Sequence, residues 1–379
     1  MKNRNREKFK VISNFKSTYP IGIDIGDQTI HAVQLKETRQ GIAVRGLAHR
    51  EFELGAEGIF ETGNALISEL EEALKNKAFR GKRVVVHFPP ENIISFPIYF
   101  QVGKAETIEE AILRESEQHL SFPIEEAIID YPSIISLPSG EANKYKASVI
   151  AAQRDQMKKY LLMLNEAGLT VEAVDGGISS LIRLHRYLYE LNSNPIVLCN
   201  IGYTGSILSV VTRDRILVQR SLPWGIQILL RKVQENLELS KYKSKTLLKQ
   251  YGVLYKDDTS LDDGEDLSDR DTTGDSMSRA IYQMVTPYLA ELIYEFHNII
   301  GYVISEEQDA VLERIYIYGQ GSFIRHMDHY LEKQLNIPTT LINPITKVSL
   351  PDDAILPDVS EGASFALALG LAMRKVTWL

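Results

Sequence analysis

The sequence predicts an α/β protein of two similar lobes facing each other across a cleft. A repeated unit carries this expectation. "YPIGIDIGDQTIHAVQL", residues 19–35, holds an apolar strand that ends on Gly26, turns through Asp27-Gln28-Thr29 and resumes at Ile30. About half a chain later, "PIVLCNIGYTGSILSVV" reaches Asn200-Ile201-Gly202, turns through Tyr203-Thr204-Gly205 and resumes at Ile207. A further strand-like run follows each copy, "GIAVRGLAHREF" and "RILVQRSL". A unit recurring at such a distance implies a duplicated structural block. Aligned on Ile-Gly, Asp24 falls on Asn200, Gly26 on Gly202 and Thr29 on Gly205.

The remaining segments follow in order. Residues 1–18 open with six Lys or Arg against one Glu and are expected to be a disordered basic tail. "ETGNALISELEEALKNKAF" has helical periodicity, and "RVVVHFPP" is a buried strand stopped by prolines. "TIEEAILRESEQHLSFPIEEAIIDYPSIISL" gives a helix, a Phe-Pro stop and a strand. The strand "KYKASVIAAQ" leads into the helix "RDQMKKYLLMLNEAGL", with Gly168 where a helix C-terminus favours glycine. "GIQILLRKVQENLELSKYKSKTLLKQYG" reads as helical throughout. Residues 257–275 carry nine acids against one Arg and cannot build a core, so they read as a loop. In the long helix that follows, Pro287 is expected to mark a kink or a fresh start. "RIYIYGQGSFIRHMDHYLEKQLNIPTTLINP" reads as strand, glycine turn, helix and strand, and "EGASFALALGLAMRKV" as a helix.

Composition excludes several classes. With 379 residues, 44% apolar and 24% charged, the chain is long enough for two domains of ordinary globular usage. A net charge of −8 argues against nucleic acid as the main partner. The single cysteine, Cys199, excludes an internal disulfide and reads as a small core residue. No secretory signal opens the sequence, and "ASFALALGLAM" is too short to span a bilayer. The protein is therefore expected to be cytoplasmic. No Walker-type loop, zinc HExxH, Rossmann fingerprint or nucleophile elbow occurs.

Chemistry concentrates on the turns. Asp24 lies inside a strand that otherwise wants burial, and an unpaired buried carboxylate costs on the order of several kcal/mol, so it needs a partner. A backbone cap, a cation and a ligand with its metal all remain open at this point. Glycine turns facing a cleft present backbone N–H groups to phosphates. A third turn, "YGQGSF", is expected to open a helix directly after a strand. His326 and His329 on that helix lack a third ligand and read as surface histidines.

Together the three turns resemble the actin/hexokinase ATPase superfamily, whose lobes are duplicated ribonuclease H-like domains. The resemblance implies that Gly26, Asp27, Gln28 and Thr29, with Asn200, Gly202, Tyr203, Thr204 and Gly205, grip the phosphates of ATP. It implies that Gly319, Gln320, Gly321 and Ser322 hold the adenosine, and that Asp24 places Mg²⁺ and the attacking water indirectly, through water. Within the superfamily the chain is similar to PilM, the FtsA-like family of type IV pilus assembly. The similarity lies in "ILRESEQHLSFPIEEAIIDYPSI", "YLLMLNEAGLTVEAVD", "LNIPTTLINP" and "FALALGLAMRK", and runs from about Tyr19 to Lys375.

The expected organisation is then a two-lobed actin-like fold with an FtsA-like inserted subdomain. Lobe 1 takes residues 19–83, 159–194 and 345–379, and the inserted subdomain takes 84–158. Lobe 2 takes 195–226 and 300–344, and its smaller subdomain 227–299 carries the acidic run. The resemblance implies a cytoplasmic scaffold held at the inner membrane through its partners, docking the N-terminal tail of a PilN-like protein on the Val84–Gln153 region. Departures from the family pattern point to a weakened ATP site. Asn200 stands where the second turn normally opens with Asp, and Lys245 and Leu248 stand where Glu and Lys flank the nucleoside. The third turn is GQGS rather than successive glycines. A nucleotide-free scaffold of a type II secretion system and an active ATPase or phosphotransferase remain the alternatives.

Overall fold

The computed structural model describes residues 19–39, 41–52, 63–75, 77–137, 143–253, 272–307, 311–350 and 359–374. The basic segment 1–18 and residues 257–271 of the acidic run lie outside the described residues.

The first apolar strand, β1 (Ile21–Ile25), pairs antiparallel with β2 (Thr29–Thr38), which pairs with β3 (Gly41–Glu51). Helix α1 (Gly63–Leu74) returns the chain to β4 (Arg83–His87), parallel to β1. An inserted antiparallel sheet follows, made of β5 (Ile93–Gln101), β6 (Ala127–Ser136) and β7 (Lys144–Gln153) in the order β5-β7-β6. Helix α2 (Ile108–Ser116) covers it, opened by Thr107 and Glu110 in a reciprocal capping box. Helix α3 (Arg154–Glu166) ends at Gly168, whose φ of +71° suits glycine, and leads to β8 (Thr170–Asp175) beside β4. The first sheet thus has the order β3-β2-β1-β4-β8.

Helix α4 (Gly177–Leu188) carries the chain to a second sheet of the same plan. Its strands are β9 (Ile196–Ile201), β10 (Ser206–Val211) and β11 (Ile216–Leu222), then β12 (Ile315–Gly319) and β13 (Thr339–Leu341), ordered β11-β10-β9-β12-β13. Between β11 and β12 run α5 (Ile226–Leu237), α6 (Lys241–Tyr251) and α7 (Thr272–Glu306). Helix α8 (Met327–Leu335) joins β12 to β13, and α9 (Ala366–Ala372) closes the described chain. In both sheets three consecutive strands form an antiparallel meander, and two later strands add in parallel on the side of its first strand. The repeat read in the sequence is a repeat in topology.

Burial arranges these elements in layers. One core lies on the outer side of the first sheet, under α1 and α3, and another covers the second sheet under α5 to α7. A third core lies between the sheets, joining Val33 and Leu35 to Leu198, Ile207 and Tyr318 through α4 and α9. That position explains why α9 is apolar on every side: it is sandwiched. Its small residues permit close approach, since a Cβ on Gly22 would meet the Ala368 carbonyl oxygen at 2.1 Å, and one on Gly370 the Ser180 carbonyl oxygen at 2.1 Å.

Three expectations need correction. The run expected to be helical throughout breaks between α5 and α6, where Glu238 is left-handed (φ 51°) and Ser240 caps the new helix by accepting from Lys243 N–H. Pro287 starts no new helix; α7 continues through it, with the Thr286 hydroxyl donating to the Tyr282 carbonyl at 2.6 Å in the preceding turn. The segment 84–158 opens on β4, a strand of the first sheet, so the inserted sheet itself begins at Ile93.

Candidate functional site

The two glycine turns close in the same way. Gly26 N–H donates to the Thr29 carbonyl at 2.9 Å, and Gly202 N–H donates to the Gly205 carbonyl at 2.9 Å. The alignment of the two copies therefore corresponds to one hydrogen bond made twice. Gly202 is required by its turn, because a Cβ there would meet the Gly205 carbonyl oxygen at 2.6 Å. The tips meet across the cleft, where the Thr204 hydroxyl donates to Asp27. Asp24, Gly26, Asp27, Thr29, Asn200, Gly202, Tyr203, Thr204 and Gly205 all line one cavity of about 720 Å³.

Asp24 has its partner. The imidazole Nε2 of His87, at the end of β4, lies 2.6 Å from Asp24 Oδ1. His31, directly opposite Asp24 in the β1–β2 register, holds its Nδ1 3.7 Å from Oδ2. His31 Nε2 in turn lies 3.0 Å from His49 Nδ1, so a chain of polar groups runs from β3 to β4. Burial pulls the pKa of His87 down, but the hydrogen bond and charge of Asp24 outweigh it and the net shift is upward. Burial drives His31 down to about 3, with the Asp24 charge opposing. His31 is accordingly neutral at pH 7. At the matching place in lobe 2, Asn200 faces Ile207: a neutral amide faces an apolar residue where the first lobe pairs an acid with histidine.

The third turn is built differently from the expectation. Gly319 (φ +80°) ends β12 against Asn200, where a Cβ would meet Asn200 Oδ1 at 2.7 Å. The chain then makes a 3₁₀ turn over Gln320–Phe323, and α8 starts only at Met327, so no α-helix N-terminus opens directly from the glycine turn. Gly319 and Gln320 line the cleft, and Gln320 Nε2 donates to Thr29 Oγ1 at 3.4 Å. Gly321 instead packs on the Ile201 side chain, and the Ser322 hydroxyl donates to the Ile317 carbonyl at 3.3 Å. His326 stands at the N-terminal boundary of α8 in a left-handed conformation (φ 64°) with no side-chain capping bond, and His329 lies exposed on the helix, with ring centroids 5.8 Å apart.

A second compartment of about 720 Å³ adjoins the first and shares Thr29, His31, Tyr203, Gly319, Gln320 and Ser364 with it. Gln28 lines only this one and accepts from Lys241 of α6. Lys245 lies 3.8 Å from Glu51. Sequence reading missed His31, His87 and Lys241. The hairpin register alone would have found His31, whereas His87 depends on β1 pairing with β4 across 63 residues.

The chain matches the family described as type IV pilus assembly protein PilM over residues 22–259 and 257–376. It belongs to the PilM family. A solved PilM-PilN type IV pilus biogenesis complex is 23% identical, with a TM-score of 0.73, covering 94% of this chain and 98% of that one. The ethanolamine utilization protein EutJ from Carboxydothermus hydrogenoformans is 13% identical at a TM-score of 0.49, covering 94% of this chain and 89% of its own. MreB5 of Spiroplasma citri, bound to ADP, is 11% identical at 0.49, covering 93% and 95%. The PilM-family chain thus has the two-lobed actin-like fold, with the paired sheets as its lobes. Among the described residues no helix is long and apolar enough to cross a membrane.

Proposed function

We propose that this PilM-family protein is a cytoplasmic scaffold of type IV pilus assembly, whose lobes close on ATP with little or no hydrolysis. The observation that carries the reading is the meeting of two identically closed glycine turns at one cavity, with Thr204 against Asp27. Such turns offer backbone N–H groups to phosphates, and the glycines leave room that side chains would fill.

A magnesium ion fits this donor set only sparsely. Mg²⁺ commonly uses one or two carboxylates together with phosphate oxygens and waters. Asp24, Asp27 and Glu91 are the acids lining the cavity; one Asp24 oxygen already accepts from His87, and Asp27 accepts from the Thr204 hydroxyl. Asn200 neither neutralises a cation nor accepts a proton. Among the described residues no cluster of three or more His, Cys, Asp or Glu side chains is arranged for a metal. This supports nucleotide serving as structural cement rather than as fuel. Bound Mg²⁺ would supply charge neutralisation of the phosphates.

The partner in this reading is the cytoplasmic N-terminal tail of a PilN-like inner-membrane protein, docking on the Val84–Gln153 region. β6 is an edge of the inserted sheet, paired only with β7, and Ile128 and Ile134 are exposed on it. An extended peptide adds to such an edge through main-chain hydrogen bonds. The protein would reach the inner membrane through that tail. The test is anisotropy of a labelled tail peptide titrated with the full chain, with and without ATP. Unchanged affinity in Ile128→Asp and Ile134→Asp variants that still melt cooperatively would overturn the docking face.

A further inference from the structure

Charge is unevenly spread along the chain. Residues 1–18 and 75–83 together hold eleven Lys or Arg against one Glu, whereas the rest holds 31 Lys or Arg against 49 Asp or Glu. One buried side chain ties the two basic segments to the same place. Gln34 Nε2 donates to the Tyr19 carbonyl at 2.9 Å, where residues 1–18 join the first sheet. The same nitrogen donates to the Arg80 carbonyl at 2.8 Å, and Gln34 Oε1 accepts from Arg80 N–H at 2.7 Å. Phe79 packs on Gly46, where a Cβ would meet its ring at 3.1 Å. The backbone between α1 and β4 is thus fixed, and its charges project outward. Lys77, Arg80 and Lys82 are exposed and form no ion pair among the described residues, while Lys75 pairs with Glu72 and Arg83 with Glu172. Lys36 and Arg39 follow Gln34 closely and add two further cations. Glu37 between them accepts from the Tyr19 hydroxyl at 3.3 Å. The adjoining ends of α1 and α3 add two exposed acids, Glu71 and Glu166. This basic end lies at the start of β1, opposite the Gly26 end that faces the cleft.

We propose that this end of the first lobe rests directly on an anionic lipid surface, a contact separate from the peptide docking on the inserted sheet. The choice of lipid over other polyanions rests on the reading of the protein as a scaffold held at the inner membrane. It rests also on what lies between the charges. In "KFKVISNFK", residues 8–16, Phe9, Val11, Ile12 and Phe15 stand among Lys8, Lys10 and Lys16. Basic segments interleaved with Phe and aliphatic residues suit the boundary between headgroups and acyl chains. A nucleic acid would use the charges and leave the apolar groups in water. Each Lys or Arg brought to an anionic leaflet adds about fivefold to binding, the equivalent of about 1 kcal/mol. The exposed loop and the segment beside it therefore act together, and the acidic remainder of the chain is kept away from the surface by like charge.

The experiment is co-flotation of the full chain with vesicles, with no PilN-like peptide present. Phosphatidylethanolamine–phosphatidylglycerol vesicles are expected to carry the protein, phosphatidylcholine vesicles are not, and added salt should weaken the binding. Lys77→Gln/Arg80→Gln/Lys82→Gln should lower partitioning by about tenfold or more. Lys77→Gln/Lys82→Gln replaces it should the triple variant melt early. A control that removes the same charge from other exposed sites, Lys159→Gln/Arg231→Gln/Lys243→Gln, should change partitioning by less than about threefold. If the loop variants float as the wild type does, the loop is not in the contact and the inference is overturned. If the control loses as much as the loop variant, net charge rather than this face decides, and the inference again falls. Duplex DNA that strips the protein from vesicles at equal phosphate concentration would mark a general polyanion surface and overturn the lipid assignment. Absence of binding to anionic vesicles overturns the direct contact but leaves the peptide-docking reading standing, because the anisotropy titration tests that reading without lipid.

Discussion

Asp24 and His87 come from strands paired in parallel, and their side chains meet at 2.6 Å beside the Gly26 turn. The carboxylate that looked misplaced in an apolar strand is held by a buried imidazole whose pKa it raises against the pull of burial. Breaking such a pair leaves an uncompensated polar group. Asp24→Ala is expected to lower unfolding stability by about 3 kcal/mol. A double-mutant cycle with His87→Ala, read by urea denaturation, should return a coupling well above the experimental scatter. Additive losses would show that the two residues do not act as a pair.

Acid should destabilise the protein through its other buried histidines. Burial lowers His31 to about 3 and His185, which meets the Tyr318 hydroxyl at 2.7 Å, to about 4. The unfolded chain binds those protons below its own pKa near 6.5, so folded stability falls as pH drops from about 6.5 towards 4. His87 runs the other way: its contribution is complete below the unfolded value and is lost as pH rises through its raised folded value. Two against one favours an acid limb. Urea midpoints between pH 7 and pH 4 check this, and His185→Gln should flatten the limb by roughly 3 kcal/mol at the acid end. An unchanged slope in that variant would remove His185 from the account.

Close packing of α9 gives a paired test of glycines. Gly22→Ala forces a Cβ into the Ala368 carbonyl and the Ala372 amide at 2.1 and 2.3 Å. Overpacking of this kind costs about 1–3 kcal/mol or more. Gly301, exposed on α7 with nothing within 4 Å of its would-be Cβ, should behave oppositely. Gly301→Ala is expected to gain about 1 kcal/mol from helix propensity. Thermal melts of both variants decide the matter, and a neutral Gly22→Ala would contradict the packing of α9 on β1.

The inserted sheet is pinned to the far end of α7. Tyr99 donates to Glu306 at 2.6 Å, and Lys146 reaches the same carboxylate at 2.5 Å while lying 5.2 Å over the Tyr99 ring and 5.1 Å over that of Tyr302. Lys146→Ala should therefore cost about 1–2 kcal/mol and raise amide exchange in β5 and β7 above that in β9. Uniform exchange changes across both regions would show global weakening instead.

Much of this arrangement was legible from residue order, and the reasons are local. Gly26 and Gly202 stand out because each ends an apolar strand before a polar turn, and a duplicated unit makes the same closing bond twice. What escaped depends on distant pairing or on conformation. His87 reads as one more residue of a buried strand until β1 and β4 are placed side by side. The break at Glu238 lies in a left-handed residue with no glycine to announce it. Lys241 and Lys249 look like ordinary helix-surface charge until α6 is folded over the cleft.

The last prediction concerns turnover. Of the carboxylates lining the cavity, Asp24 is already engaged by His87 and Asp27 by the Thr204 hydroxyl, while the place in lobe 2 equivalent to Asp24 is the amide of Asn200 beside Gly319. Loss of one electrostatic contributor typically lowers a rate by about 10²–10³. ATP hydrolysis by the purified protein is therefore expected well below about 1 s⁻¹, the floor of ordinary enzyme rates. Binding and turnover are separable: melting temperature should rise with ATP concentration by mass action even where no phosphate is released. Asn200→Asp restores a carboxylate at the second turn and should raise phosphate release by at least about tenfold, leaving the ATP-dependent melting shift in place. Wild-type turnover of several per second that Asp24→Ala abolishes would mean that one acid suffices, and that nucleotide here drives a cycle instead of holding the lobes together.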